Sequence, residues 1–412
     1  MIQNKVLFIG LVWPEPTSSA AGKRILQLVD FFLERNYEVT FSSAATKTEA
    51  SFDFSKSNVN EISIQLNDSS FNEFIQKLNP KIVIYDRFVS EEQFGWRVSQ
   101  ECPNALQILD TEDLHFLRSA REKAYKKKEE INLYNEIAVR EIASILRCDL
   151  GLIISEFEMN LLQNEFNISS ELIHYLPFLE NVCHSEERGI SENKIKLFHE
   201  REDFIFIGNF LHEPNWQTVL HLKKNIWPKI KSKLPEAKLN IYGAYPAQKV
   251  WDLDNEKEGF LVHGKAENAL EVVGNSKILL APIPFGAGQK GKFIDAMQTG
   301  TPIATNSVGA ESMFDELIPG ISEDDENEFV KKTIDLFINE EIWAKAQEIG
   351  FKILKEKFDK NQFENDFEEK LKDVASNLMQ HRNTNFIGQI LKSNAANALK
   401  YMSLWIEEKN KK

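Results

Sequence analysis

The sequence predicts an α/β protein of two Rossmann-like, doubly wound domains that face each other across a cleft. Three observations carry that expectation. The chain has 412 residues, more than one ordinary domain holds. Short aliphatic and β-branched runs alternate with longer amphipathic segments, the pattern of a parallel sheet with crossover helices. The alternation stops at a polar stretch and then begins again.

The first buried run is KVLFIG (5–10), followed by the loop WPEPTSSA and the segment AGKRILQLVDFFLERN. Ile25, Leu28, Val29, Phe32 and Leu33 recur at helical spacing on one face of that segment. YEVTFSSA, KIVIYD (81–86), LQILD (106–110) and DLGLIIS (149–155) read as the next strands. The set restarts with DFIFIGN (203–209), KLNIYG (238–243), FLVHG (260–264), KILLAPI (277–283) and TPIATN (301–306). These runs give an N-terminal domain at 1–178, a polar linker at 179–202 and a C-terminal domain at 203–375. From about residue 323 onward no strand signal remains, and 376–412 reads as helices packing back on the N-domain. Leu399, Met402, Leu404, Trp405 and Ile406 are their expected apolar stripe.

Composition narrows the function. A formal net charge of −14 argues against nucleic acid as the partner, because neutralising phosphates needs a basic surface. No apolar run reaches the roughly 20 residues that span a bilayer, and MIQNKVLFIGLVW reads as a first strand rather than a leader. Cys102, Cys148 and Cys183 are scattered and suit reduced thiols, so a cytoplasmic location is expected, with peripheral membrane association left open. No HExxH or zinc-like cluster occurs, and Asp252-Leu253-Asp254 lies in a charged loop, so no metal ligand and no cofactor is expected.

The stretch GAGQKGKF (286–293) is the main chemical signal. It fits both the dinucleotide fingerprint and, up to Phe293, the P-loop. Phe293 cannot ligand Mg²⁺, and too few strands follow for an NTPase core. The next strand ends in Asn306, with no carboxylate placed for a ribose. What survives is a Gly-rich loop opening a helix, which is an anion site in any enzyme class or a purely structural turn. Lys292 and Asp295, spaced i, i+3, share the first turns of that helix. A cation there suits phosphate, and a carboxylate one turn on suits ribose hydroxyls.

Pro282, Gly286, Gly288, Lys292, Asp295, Ala296, Met297, Gly300, Pro302, Thr305, Gly309 and Glu311 together resemble the donor site of GT-B fold glycosyltransferases of the retaining, family-four (group 1) type. The resemblance implies transfer of a sugar from a nucleoside-diphosphate sugar, the substrate, to an acceptor hydroxyl, with retention and without an essential metal. It implies Gly22, Asn209, Gly286, Gly288, Gln289, Lys290, Asp295 and Glu311 on the donor side. The segment DTEDLHFLR (110–118) is similar to the part of the N-domain that faces the cleft. There His115 and Asp113 are expected at the sugar, acting with Lys292. The alternative is that Asp113 caps the following helix and Arg118 pairs with a neighbouring Glu. Asp86, Arg87, Asp110 and Arg118 are expected on the acceptor side, where the acceptor is a glycan, a lipid-linked glycan or a protein. Two departures stand out: the first of the family's two glutamates falls on Ala287, and its Arg/Lys pair is missing from GNFLHEPNWQ. They keep a non-catalytic nucleotide- or partner-binding subunit of the same fold as the alternative.

Overall fold

Two separate parallel sheets form the framework of the computed structural model, which describes residues 4–182 and 195–411. Cys183 and the middle of the linker lie outside the described residues. The first sheet holds β1 (Lys5–Gly10), β2 (Glu38–Ser43), β3 (Val59–Ser63), β4 (Ile82–Asp86), β5 (Leu106–Asp110), β6 (Leu150–Ile153) and β7 (Ile173–Tyr175). Its order is β3-β2-β1-β4-β5-β6-β7, with every pairing parallel. The second holds β8 (Glu202–Ile207), β9 (Leu239–Tyr242), β10 (Phe260–Gly264), β11 (Ser276–Ala281), β12 (Ile303–Thr305) and β13 (Gly320–Ser322). It runs β10-β9-β8-β11-β12-β13, again all parallel. This is the two-domain Rossmann-like architecture expected from the alternation.

β3, β7 and β13 are the strands that the hydrophobic pattern does not announce. β3 and β7 are the outer strands of the first sheet and β13 is an outer strand of the second. Polar Asn60 and Glu61 are exposed on β3, and β7 and β13 have three residues each. Edge strands bury one face at most, so their sequences need not be continuously apolar.

In each sheet the strand order reverses once, between β1 and β4 and between β8 and β11. Ligands of open α/β sheets bind outside the carboxyl ends of the strands at such a switch. The loop after β1, Asp86, Asp110, Gly208-Asn209 and the Gly-rich loop after β11 all lie at those ends.

The chain returns to the first domain earlier than residue 376. On the helix Lys360–Ser376, Phe367 sits 4.8 Å from Phe31, centroid to centroid, and Leu371 and Val374 join the same core. The final helix, Phe386–Asn410, packs on the N-domain helices Arg87–Glu101 and Glu136–Arg147. The face it uses differs from the apolar stripe. Ser403 is buried and accepts a 3.0 Å hydrogen bond from Arg97, whereas Met402 and Trp405 are 61% and 63% exposed. The side chain of Leu399 is not among the described ones.

One buried ion pair ties the N-domain together. Arg24, on the helix Ala20–Glu34, is fully enclosed and donates to both oxygens of Asp110, at 2.8–3.2 Å. Its remaining N–H groups reach the carbonyls of Leu176 and Pro177, where the chain leaves the first sheet. Removing one member of a buried pair strands the other charge, at a cost of about 3–5 kcal/mol. Asp110→Ala is therefore expected to lower the unfolding free energy by about that much, read from a urea transition. A loss under about 1 kcal/mol would show that the pair does not hold the domain together.

Candidate functional site

The Gly-rich loop leaves β11 and delivers the helix Gly291–Thr299; the first amides of a helix lack intrahelical partners and suit an anion. Gly288 adopts φ +62°, and a Cβ there would lie 2.7 Å from that of Asp113 in the N-domain. Only glycine permits both the left-handed backbone and the approach. The Gly288 amide donates at 2.9 Å to Glu158 on the N-domain helix Glu156–Glu165. Gln289 accepts from the Phe178 amide at 3.1 Å. The loop is thus gripped by the opposite domain at two successive residues.

Two lysines flank the helix start. Lys292 donates to Asn215 at 2.6 Å and lies over the Phe206 ring. Burial, reinforced by Lys290, lowers its ammonium pKa to about 7. Lys290 is buried, caps carbonyls of Gly288 and Glu311, and is brought down to about 8 by burial despite nearby Glu311. Neither ammonium forms an ion pair within 4.0 Å among the described residues. Asn215 also donates to the carbonyl of Asn209, whose own side chain closes the turn after β8 onto Leu211. Asn209, expected on the donor side, thus sits in the turn after β8 and shares Asn215 with Lys292. Asp295, half-buried, lies 3.6 Å from Lys23, which prefers Glu180 at 2.9 Å. Burial raises the Asp295 pKa. Gly22 lets the first helix press on the backbone of Glu15, and its amide is used by the cap Ser19.

Across the cleft stands the segment 110–118. Asp110 is enclosed beneath Arg24 and presents no surface to an acceptor. Asp113 does not cap the helix His115–Lys127; it pairs with Arg118, at 2.6 Å through one oxygen, and lies 3.4 Å from His115 Nε2. Burial alone would raise Asp113, but Arg118 and then His115 hold it below the usual carboxylate range. Burial takes His115 down to about 4, so it is neutral near pH 7, edge-on to Phe88. A neutral imidazole can both donate and accept hydrogen bonds, which is what a sugar hydroxyl needs. The cap duty falls to remote glutamates. Glu158 accepts from Leu114 N, and Glu141 accepts from His115 N and Phe116 N. Burial pushes Glu158 up to about 7 and Glu141 up to about 8. Asp86 and Arg87 pair with each other at the end of β4.

Sequence reasoning missed Arg121 and Glu158. Arg121 forks onto Glu311 at 2.7 and 2.9 Å and also takes the Gly286 carbonyl at 2.8 Å, bridging the domains. It lies one turn beyond Arg118, the available signal. Glu158 was visible only as the second half of the capping box Ser155-x-x-Glu158.

Comparisons with known proteins agree with the fold. Residues 201–339 match the family model described as glycosyl transferases group 1. No curated protein matches. Among solved structures, a glycosyltransferase from Rickettsia africae superposes with a TM-score of 0.65 at 14% identity, over 92% of this chain and 100% of that one. Anabaena HepE, solved with UDP and glucose, gives 0.64 at 10% identity, over 89% and 99%. A mutant of S. aureus TarM, solved with fondaparinux, alpha-GlcNAc-glycerol and UDP, gives 0.57 at 14% identity, over 74% of this chain and 58% of that one. The chain thus spans a little over half the length of TarM.

Glu158 supplies a pH signature. Its folded pKa lies above the ordinary 4.5, so its stabilising effect is complete below about 4.5 and lost as pH rises through about 7. Glu158→Gln keeps the neutral hydrogen-bond pattern. Its Tm relative to wild type is expected to rise between about pH 5 and pH 8. A Tm gap independent of pH would contradict this assignment.

Proposed function

Taking the chain as a glycosyltransferase of the GT-B fold with its group 1 domain at residues 201–339, we propose that it moves a sugar from a nucleoside-diphosphate sugar to a glycan hydroxyl, with retention and without metal. The observation that carries this reading is the Gly-rich loop opening the helix Gly291–Thr299, with the desolvated lysines Lys290 and Lys292 at its cap and in its first turn. Those groups suit a diphosphate. Preorganised donors in a water-poor cleft stabilise charge that develops on a leaving group. Lys290 and Lys292, which form no ion pair within 4.0 Å among the described residues, are the cations available to a leaving diphosphate, which supports metal independence.

In this reading Asp295 and Glu311 serve the ribose, and the base lies near the end of β10, where His263 stacks on Tyr242 at 4.6 Å. His115 takes a hydroxyl of the donor sugar, oriented by Asp113. The neighbours solved with UDP and with alpha-GlcNAc-glycerol support a nucleotide donor and a glycan acceptor. A lipid- or protein-borne glycan and a cytoplasmic location belong to the same proposal. No helix among the described residues is long and apolar enough to cross a membrane. The exposed Phe386, Ile387, Met402 and Trp405 support peripheral membrane contact.

Lys292 makes the reading testable. Phosphate binds the ammonium form, and in the empty site that form is half lost near pH 7. Affinity for UDP or GDP is expected to level off below about pH 7 and to fall by up to tenfold per unit above it. Protons are taken up on binding, so the calorimetric enthalpy should change with the ionisation enthalpy of the buffer. Lys292→Ala is expected to weaken binding about 10- to 100-fold. Failure of UDP, GDP, ADP and TDP all to bind would reject the proposal. EDTA treatment is expected to leave turnover of the bound nucleotide sugar unchanged.

A further inference from the structure

The final helix, Phe386–Asn410, leaves an apolar face uncovered. Its packed side is fixed by Gly388, where a Cβ would lie 2.1 Å from the Leu146 carbonyl oxygen, and by Ser403, held by Arg97. On the opposite side Phe386, Ile387, Ile390, Tyr401, Leu404 and Trp405 are all exposed, the three aromatic residues by 63–67%. At 3.6 residues per turn these six positions fall within one arc of roughly 100°. Single apolar side chains on a surface need no explanation, but a contiguous face of them marks a place for something else to cover.

The order of residues along that face says what. Phe386 and Trp405 are equidistant from the peptide bond between Ala395 and Ala396. So are Ile387 and Leu404, and so are Ile390 and Tyr401. Asn394 and Asn397, which helical spacing puts in the same arc between the two apolar clusters, are equidistant from it too. The face therefore reads alike from either end: three apolar residues, then asparagine. A two-fold axis through that peptide bond, perpendicular to the helix, lays the same helix of a second copy antiparallel on this one. Phe386 then meets Trp405, Ile387 meets Leu404 and Ile390 meets Tyr401, each pair twice. An isologous contact requires this self-complementarity. None of the eight positions is charged, so no like charges oppose one another.

The size is adequate. The helix has 25 residues and is about 37 Å long. A covered aromatic side chain removes about 150–250 Å² from water. Three of them, two-thirds exposed and joined by three aliphatic neighbours, approach the roughly 800 Å² per partner of a standard interface. A lipid surface would use the same residues, but it has no symmetry for the pattern to match. Two asparagines in mid-stripe also oppose burial among acyl chains, which offer them no hydrogen bond. Across a two-fold they meet each other, and a buried asparagine pair fixes register and orientation.

We propose that the exposed face of the helix Phe386–Asn410 pairs antiparallel with the same face of a second copy, giving a two-fold homodimer centred between Ala395 and Ala396. The dimer stands independently of the nucleotide-sugar reading.

Sedimentation equilibrium of the full chain from about 1 to 100 µM tests it. Wild type is expected to dimerise within that range. Ile390→Lys and Tyr401→Glu, both at exposed positions, are each expected to weaken dimerisation at least about 100-fold while Tm at low concentration stays that of wild type. The register sets the two substitutions opposite each other. An equimolar mixture of the single variants is therefore expected to pair, and the double variant to regain most of the lost affinity. Wild type that stays monomeric throughout the range overturns the proposal. A dimer that neither substitution weakens overturns it, as do single variants whose mixture fails to pair. Monomeric wild type that binds phosphatidylglycerol vesicles, with binding lost in Tyr401→Glu, also overturns it and gives the face to a lipid surface.

Discussion

The hydrogen bond from the Gly288 amide to Glu158 is the contact on which the arrangement of the cleft depends. It joins a loop that needs a left-handed glycine to the first turn of an N-domain helix. The same oxygen takes the Leu114 amide, so it also fixes the start of the helix that carries His115 and Arg118. One carboxyl group therefore sets the spacing between the two halves of the site. Arg121 on Glu311 and Gln289 on Phe178 reinforce that spacing from either side. In the proposed reading, a phosphate oxygen would take the place that Glu158 holds at this amide.

Desolvation gives the cleft its electrostatics. Burial weakens the charged form of every group it encloses, lowering Lys290, Lys292 and His115 and raising Glu158, Glu141 and Glu112. The site is thus close to neutral at its centre, and under the proposed function its ammonium groups would gain most from a bound diphosphate. A site whose charges strengthen only around the ligand spends little on holding them apart beforehand. The fully compensated pair Arg24–Asp110 differs from these groups: it is locked, and it serves the fold rather than the ligand.

Much of this was legible in the sequence for physical reasons. Strand–helix alternation shows the two parallel sheets because buried strands must be continuously apolar. GAGQKGKF shows the loop between β11 and the helix Gly291–Thr299 because glycines after an apolar run mark a strand–helix junction. The edge strands β3, β7 and β13 were not legible, since half-exposed or three-residue strands leave little pattern. Nor were the partners that act at long range. Gly288 and Glu158 lie 130 residues apart, and Arg121 and Glu311 lie 190 apart, so no local periodicity links them. Asp110 looked free for a ligand because its strand-end position is visible and its arginine, 86 residues earlier, is not recognisable as a partner. The last helix misled for a related reason: an apolar stripe marks a face, but Arg97 fixed the buried face through the polar Ser403.

The most direct test of this account is a crystal structure of the full chain with UDP. The account predicts a diphosphate oxygen within hydrogen-bond distance of the Gly288 amide and Lys292, with Glu158 no longer accepting from Gly288. A UDP seated elsewhere, with the Glu158–Gly288 hydrogen bond intact, would contradict it.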